Sequence, residues 1–151
     1  SSPGRFVSDP LRTAEDYELF LYTLKEQFSS VRRSTVTFIR RGASLALVMG
    51  ELYFDDDIRL VVRERLVYRP VPVRIDWYGY EVWRGNDKLY WYDSQPHPND
   101  PSLQDSYPHH KHIPPDIKHH RVPTPQMHFN RPNLPTLIRE IETGLEDSSS
   151  A

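Results

Sequence analysis

The chain has 151 residues, of which 37% are hydrophobic and 26% are charged. This length is typical of one domain, and the apolar content exceeds that of disordered chains. With 19 Lys and Arg against 21 Asp and Glu, the chain falls outside the strongly basic class of nucleic-acid-binding proteins, so any RNA contact depends on a local patch. The absence of cysteine excludes disulfides, thiolate metal sites and thiol nucleophiles.

The first elements along the chain are an arm and a helix. Residues 1–11 contain Gly, Pro and Ser without periodicity and are predicted to be a flexible arm. Thr13 followed by Asp16 is typical of a helix N-cap, and it predicts a helix from about Ala14 to Phe28. Its apolar stripe comprises Tyr17, Phe20, Leu21, Leu24 and Phe28. No run approaches the roughly 20 apolar residues that cross a bilayer and no secretion signal precedes the arm, so we expect a cytoplasmic protein without membrane contact.

Beyond Thr35 the pattern changes to short runs rich in β-branched and aromatic residues, separated by turn residues. Neighbouring runs must pair antiparallel, because a parallel crossover needs a dozen or more residues. Residues 12–94 are therefore predicted to form the first helix and an antiparallel meander of about five strands. The predicted strands are Thr35–Arg40, Leu45–Phe54, Ile58–Tyr68, Arg74–Trp83 and Lys88–Asp93.

The composition changes after Asp93, where all seven histidines and ten of the fourteen prolines lie. Because proline cannot donate to a β-ladder, residues 95–132 are predicted to be a long irregular loop. Asn133 as cap and Pro135 in the first turn predict a closing helix over residues 133–146 that ends near Gly144. The predicted fold is α+β, a single domain with both helices on one face of the sheet.

The loop contains a cluster in which three imidazoles and one ammonium fall within four residues, His109 to His112. Histidine titrates near neutrality, so two of them can serve as acid and base. In extended backbone His110 and His112 project together while His109 and Lys111 face the other way. We predict His110 and His112 to be the acid–base pair of metal-free RNA cleavage, with Lys111 or an arginine on the phosphate, and we also count His109 among the catalytic residues.

Asp93 ends the last predicted strand, where its carboxylate either orients a catalytic histidine or initiates a turn. Other interpretations of the histidines stay open. In one of them the histidines are loop residues bonded to backbone and water, and in the other they hold a metal through the His110-Lys111-His112 pair. Further ligands would then come from His97, His119, His120 and His128. Metal hydrolases with such a pair are usually large barrels, so we expect neither a metal nor another cofactor.

An RNA-binding face is predicted on the sheet. Arg59, Arg63 and Arg65 alternate with apolar residues along Ile58–Tyr68 and so share one solvated face, unless they pair with neighbouring carboxylates. Aromatic residues crowd the next two strands, where they either stack RNA bases or pack in the core. The tyrosines expected to be exposed for stacking are Tyr80, Tyr90 and Tyr92. Such a face would also suit a non-catalytic module that binds a protein or a nucleic acid.

Four consecutive motifs between Tyr78 and His112 are similar to those of a known family. They are Tyr78-Gly79-Tyr80, Tyr90-Trp91-Tyr92-Asp93, Pro96-His97-Pro98 and Pro108-His109-His110-Lys111-His112. In these motifs the chain resembles the TumE family of small prokaryotic toxins. The resemblance implies the toxin of a type II toxin–antitoxin system that acts on RNA. The expected partners are therefore a cognate antitoxin protein, RNA and a second copy of the chain in a homodimer.

Overall fold

The computed structural model describes residues 9–149. Most of the predicted arm, residues 1–8, lies outside this range, as do residues 150–151. The helices are α1 (Ala14–Tyr22), α2 (Leu24–Gln27), a 3-10 helix (Pro101–Ser106) and α3 (Leu134–Ser149). The strands are β1 (Arg33–Ser34), β2 (Thr37–Arg41), β3 (Leu45–Tyr53), β4 (Ile58–Val67), β5 (Arg74–Arg84), β6 (Asp87–Asp93), β7 (His110–His112) and β8 (Arg121–Pro123).

The strands within residues 9–149 form one antiparallel sheet of eight strands in the order β1-β3-β4-β5-β6-β7-β8, with β2 also paired to β3. The prediction of an α+β fold with an antiparallel sheet is confirmed, but five strands were too few. The largest error lies in residues 95–132, where β7 and β8 extend the sheet beyond β6. Pro123 is tolerated because β8 is the edge strand, where a missing N–H breaks no ladder.

The N-terminal helix is shorter than predicted. Thr13 caps α1 as expected, since its hydroxyl accepts a hydrogen bond from the Asp16 backbone N–H at 3.1 Å. The helix ends at Tyr22 because the next residue, Thr23, leaves helical geometry, and the Thr23 hydroxyl donates to the Leu19 carbonyl at 2.7 Å. The short α2 then continues to Gln27. The end of the predicted arm is not free, because Leu11 is buried in the core.

The closing helix is longer than predicted and begins differently. The Asn133 carbonyl accepts the Leu137 N–H, as at an N-cap, but the Asn133 side chain bonds to His128 and to the Tyr80 hydroxyl. Gly144 does not end α3, which continues to Ser149. Within residues 9–149 no helix is both long and apolar enough to cross a membrane.

Both helices pack on the same face of the sheet, as predicted. Glu64 on β4 is buried between them, and it accepts hydrogen bonds from Tyr17 of α1 at 2.6 Å and from Tyr80 of β5 at 2.5 Å. Asn133, immediately before α3, donates to the same Tyr80 hydroxyl at 3.1 Å. This network joins both ends of the chain to the middle of the sheet. The opposite face of the sheet, called the open face below, is covered by neither α1 nor α3.

We expect Glu64→Gln to change the pH dependence of stability. Burial raises the pKa of Glu64, and the hydrogen bonds from Tyr17 and Tyr80 offset this only in part. A carboxyl whose pKa is raised by folding stabilises most when protonated. The free energy of unfolding of the wild type should therefore fall as pH rises above about 4.5, whereas the variant should lack this fall.

Urea unfolding at several values between about pH 5 and pH 8 measures this difference. Glu26→Gln, which changes an exposed carboxylate, provides the background slope. Identical slopes for the wild type and Glu64→Gln would contradict the expectation.

Candidate functional site

Two rows of cross-strand neighbours run over the open face and bring the candidate residues together. Directly opposed residues of paired strands project from the same face. The first row consists of Arg63, Gly79, Asp93 and His110 on β4 to β7. The second row consists of Val61, Glu81, Trp91, His112 and Arg121 on β4 to β8. Asp93 thus meets both histidines although a long connection separates them in sequence.

Asp93, His110 and His112 form a compact triad at the end of these rows. The His110 Nε2 lies 2.8 Å from Oδ1 of Asp93, and the His112 Nε2 lies 3.5 Å from Oδ2. The two Nε2 atoms are 3.1 Å apart. His110 is 0% exposed and His112 is 4% exposed, whereas 20% of the Asp93 side chain remains accessible. The triad therefore meets solvent through its carboxylate.

The other ring nitrogens of the triad are held by backbone. The His110 Nδ1 lies 3.1 Å from the Pro108 carbonyl, and the His112 Nδ1 lies 2.9 Å from the Ile117 carbonyl. Because a carbonyl can only accept, each Nδ1 carries the hydrogen, and each Nε2 of a neutral ring has a free lone pair. Both rings are thereby fixed with Nε2 toward Asp93.

Asp93 both initiates a turn and contacts the two histidines. Its Oδ1 accepts the Gln95 backbone N–H at 2.9 Å, which initiates the turn after β6, and the same side chain lies against the Nε2 atoms of His110 and His112. Burial raises the pKa of Asp93, but hydrogen bonds from His110 and His112, which form when the Nε2 of a ring carries a proton, outweigh this and hold its pKa well below the usual range. The carboxylate is therefore ionised at neutral pH.

A shallow groove on the open face leads to the triad. Its lining includes Arg63, Trp77, Gly79, Trp91 and Asp93. Gly79 stands between Arg63 and Asp93 in their row, and the Trp77 ring lies close over it, since a Cβ at Gly79 would be 3.2 Å from that ring. Arg63 is exposed and forms no ion pair within residues 9–149. The groove therefore offers an anion a free guanidinium beside the triad.

His109 and Lys111 lie away from the triad, on the side of the sheet that faces α3. The Lys111 Nζ forms an ion pair with Glu140 of α3 at 2.8 Å. The His109 Nδ1 lies 2.6 Å from the Tyr78 hydroxyl, and burial, aided by the charges of His128 and His110, lowers the pKa of His109 to about 4. The structure thus separates two of the five predicted catalytic residues from the other three.

The three predicted RNA-binding arginines all lie on the open face, but they differ in their contacts. Arg59 donates to the Gly85 carbonyl at 2.7 Å and lies over the Trp83 ring. Arg65 pairs with Asp76 at 2.8 Å. Only Arg63, of these three, is without such a partner among the described residues. It is also the arginine that faces the groove.

The prediction of exposed tyrosines was wrong. Tyr80 is 0% exposed and Tyr92 is 5% exposed, and both lie on the helix-covered face. Tyr90 is half-buried on the same side, close to Tyr92. Alternation along a strand places these tyrosines together, but it does not show which face the helices cover. The tryptophans of β5 and β6 occupy the open face instead, namely Trp77, Trp83 and Trp91.

Sequence reasoning missed Arg121, which lies opposite His112 on the open face and 3.7 Å from Asp100. Its position depends on β8, for which the proline-rich sequence contains little signal. His97 packs edge-on against the His110 ring with centroids 4.9 Å apart. The other histidines weighed as metal ligands lie elsewhere. His119 pairs with Asp116, His120 bonds to the Pro114 carbonyl, and His128 contacts Asn133.

Comparison with curated proteins and with solved structures gives no significant match. Comparison with protein-family models matches residues 20–145 to the family described as Toxin TumE. The matched region is well over half of the chain and includes the triad, the groove residues and most of α3. This chain therefore belongs to the TumE toxin family.

Proposed function

We propose that this protein is the toxin of a type II toxin–antitoxin pair and that it cleaves single-stranded RNA at the triad of Asp93, His110 and His112. Membership of the TumE family supports the toxin role. The observation that carries the RNA-cleaving role is the convergence of two imidazoles and a carboxylate beside an open groove. Residues of this kind, gathered from two strands, are typical of an active site.

The groove suits a single RNA strand. Cleavage requires that a proton leaves the attacking oxygen, that the departing oxygen is neutralised and that charge on the phosphoryl oxygens is stabilised. Arg63 can hold a phosphate, and Trp77 and Trp91 present ring surface for stacking, which contributes roughly 1 to 3 kcal/mol per base. Single strands expose the base faces that such stacking needs.

The triad acts as one unit in this proposal. A pair of independent acid and base would need both Nε2 atoms to face RNA, yet they face each other 3.1 Å apart, and His110 is fully buried. The exposed edge of Asp93 is the side on which substrate can approach. This geometry fits three side chains that act together on one group better than it fits the predicted metal-free acid and base acting separately.

The cognate antitoxin is proposed to cover the open face. An inhibitor that occupied the groove would exclude RNA from Arg63 and from the triad at the same time. The half-buried tryptophans and unpaired arginine of that face match the aromatic and Arg-rich composition of protein interfaces. Because RNA is a cytoplasmic substrate, we also propose that the protein acts in the cytoplasm. The homodimer stays a prediction.

RNA cleavage by the purified protein tests the proposal. We expect the wild type to cut single-stranded RNA under at least one of two conditions, with a chelator or with added divalent metal. His110→Ala should lower the rate by at least about 100-fold. His119→Ala, which removes an exposed histidine outside the triad, should cut like the wild type. Intact RNA with the wild type in both conditions would overturn the proposal, and so would undiminished cleavage by His110→Ala.

A further inference from the structure

We infer that Asp93, His110 and His112 form a binding site for one divalent transition-metal ion of the Zn²⁺ class. The site itself stands on the geometry of the triad, while its use in RNA cleavage rests on the proposed function. The expectation of no metal came from the size of the chain, not from the ligands. The arrangement of the ligand atoms favours a metal site.

The first argument is the arrangement of lone pairs. In the neutral form of both rings, the two Nε2 lone pairs and the Asp93 carboxylate meet, with neighbouring atoms 2.8 Å to 3.5 Å apart. Three electron-rich groups at this distance repel unless a positive charge lies among them. A divalent cation attracts all three at once, whereas one proton can bond only two of them.

The second argument is distance. Zinc binds nitrogen at about 2.0–2.1 Å, so two nitrogens on one ion lie about 3.3 Å apart in a tetrahedral site and about 2.9 Å apart in an octahedral one. The observed Nε2 separation of 3.1 Å falls between these values. The distances of 2.8 Å and 3.5 Å from Nε2 to the Asp93 oxygens bracket the same range. An ion therefore fits without rearrangement of the strands.

The third argument is the support behind the ligands. A metal-bound histidine usually donates its other ring N–H to a carbonyl or carboxylate, which fixes the ring and its tautomer. Both Nδ1 atoms here do this, toward Pro108 and Ile117. The ligands also sit on paired strands, since His110 is directly opposite Asp93 in the ladder. Such pre-orientation lowers the cost of assembling the site.

The ligand set indicates the class of ion. Two imidazoles and one carboxylate suit Zn²⁺ and similar first-row ions, whereas Mg²⁺ and Ca²⁺ prefer oxygen alone. Three protein ligands leave coordination positions open, as in catalytic rather than structural zinc sites. The accessible edge of Asp93 faces the groove, so these positions would lie where a phosphate can reach. A bound ion could then supply an activated water and stabilise phosphoryl charge.

Metal binding to the full, untagged chain tests the inference without any RNA. After chelation, titration with Zn²⁺ by calorimetry should show one tight site, and Co²⁺ should give the visible absorption of a nitrogen- and oxygen-ligated ion. Asp93→Asn and His112→Gln should each weaken binding by at least about 100-fold. The double variant His119→Ala/His120→Ala should bind like the wild type, because those rings lie outside the triad.

The possible outcomes separate this inference from the proposed function. Circular dichroism of each metal-free variant tests whether it folds. If His112→Gln does not fold, Asp93→Asn, at a partly exposed position, replaces it as the variant that removes a metal ligand. Absence of binding, or binding lost only in the His119/His120 double variant, overturns the metal site. RNA cleavage in chelator without metal binding would keep the proposed function and overturn the inference. Tight metal binding that depends on the triad, without RNA cleavage, would keep the metal site and overturn the proposed function.

Discussion

Expression of His112→Gln should leave cell growth unaffected, whereas expression of Lys111→Gln should still arrest it. The two residues are adjacent, but alternation along β7 sends His112 into the triad and Lys111 to Glu140 of α3. Glutamine removes the Nε2 of His112 that faces Asp93, and we expect RNA cleavage to fall by at least about 100-fold. At position 111 glutamine removes a partly exposed ion pair and the contact of the ammonium with the rings of Tyr90 and Tyr92, each of which contributes roughly 1 kcal/mol or less.

Growth curves after induction, with protein amounts checked by immunoblot, measure this difference. Coexpression of the cognate antitoxin should restore growth for the wild type and for Lys111→Gln. If Lys111→Gln lost toxicity while His112→Gln kept it, the chemistry would lie on the helix side of β7, as the predicted role of Lys111 implied. A wild type that does not arrest growth would contradict the toxin role itself.

The second large effect is on stability. Gly50→Ala should destabilise the protein by about 3 kcal/mol or more, because a Cβ there would lie 2.5 Å from the Thr35 carbonyl oxygen and from the Val36 Cα. Gly50 also has a φ of +145°, which residues with a side chain rarely adopt. The close approach arises because β1 and β2 pair with the same edge of β3, and the chain crosses from one to the other beside Gly50.

Gly144→Ala is the matched control for that substitution. A Cβ at Gly144 would meet nothing within 4 Å, and the residue lies in α3 with ordinary helical backbone. Alanine is the better helix former, so this variant should gain about 0.5 to 1 kcal/mol. Urea unfolding of both variants measures the opposite signs. Equal stability of the two variants would show that the contact at Gly50 relaxes at little cost.

Local sequence patterns were sufficient to predict several features on which the site depends. Alternation along β7 separates His110 and His112 from Lys111, and alternation along β4 places Arg59, Arg63 and Arg65 on one face, because successive side chains of any strand point to opposite sides. The capping of α1 by Thr13 is likewise local, since it needs only residues three apart. These features hold whatever the rest of the chain does.

Which residues meet, and which face of the sheet is left uncovered by α1 and α3, depends on contacts between distant parts of the chain. Alternation along β5 places Tyr80 and Trp77 on opposite faces but does not show which face the helices cover. The burial of Tyr80 against Glu64 and Asn133 shows that the helices cover the tyrosine face. Similarly, the ladder between β6 and β7 joins residues separated by a proline-rich connection, so the pairing of Asp93 with His110 depends on non-local backbone hydrogen bonds. Local residue propensities do not predict such pairing. The pairing depends on the length of the connecting loop and on the free edge of a sheet that has already formed.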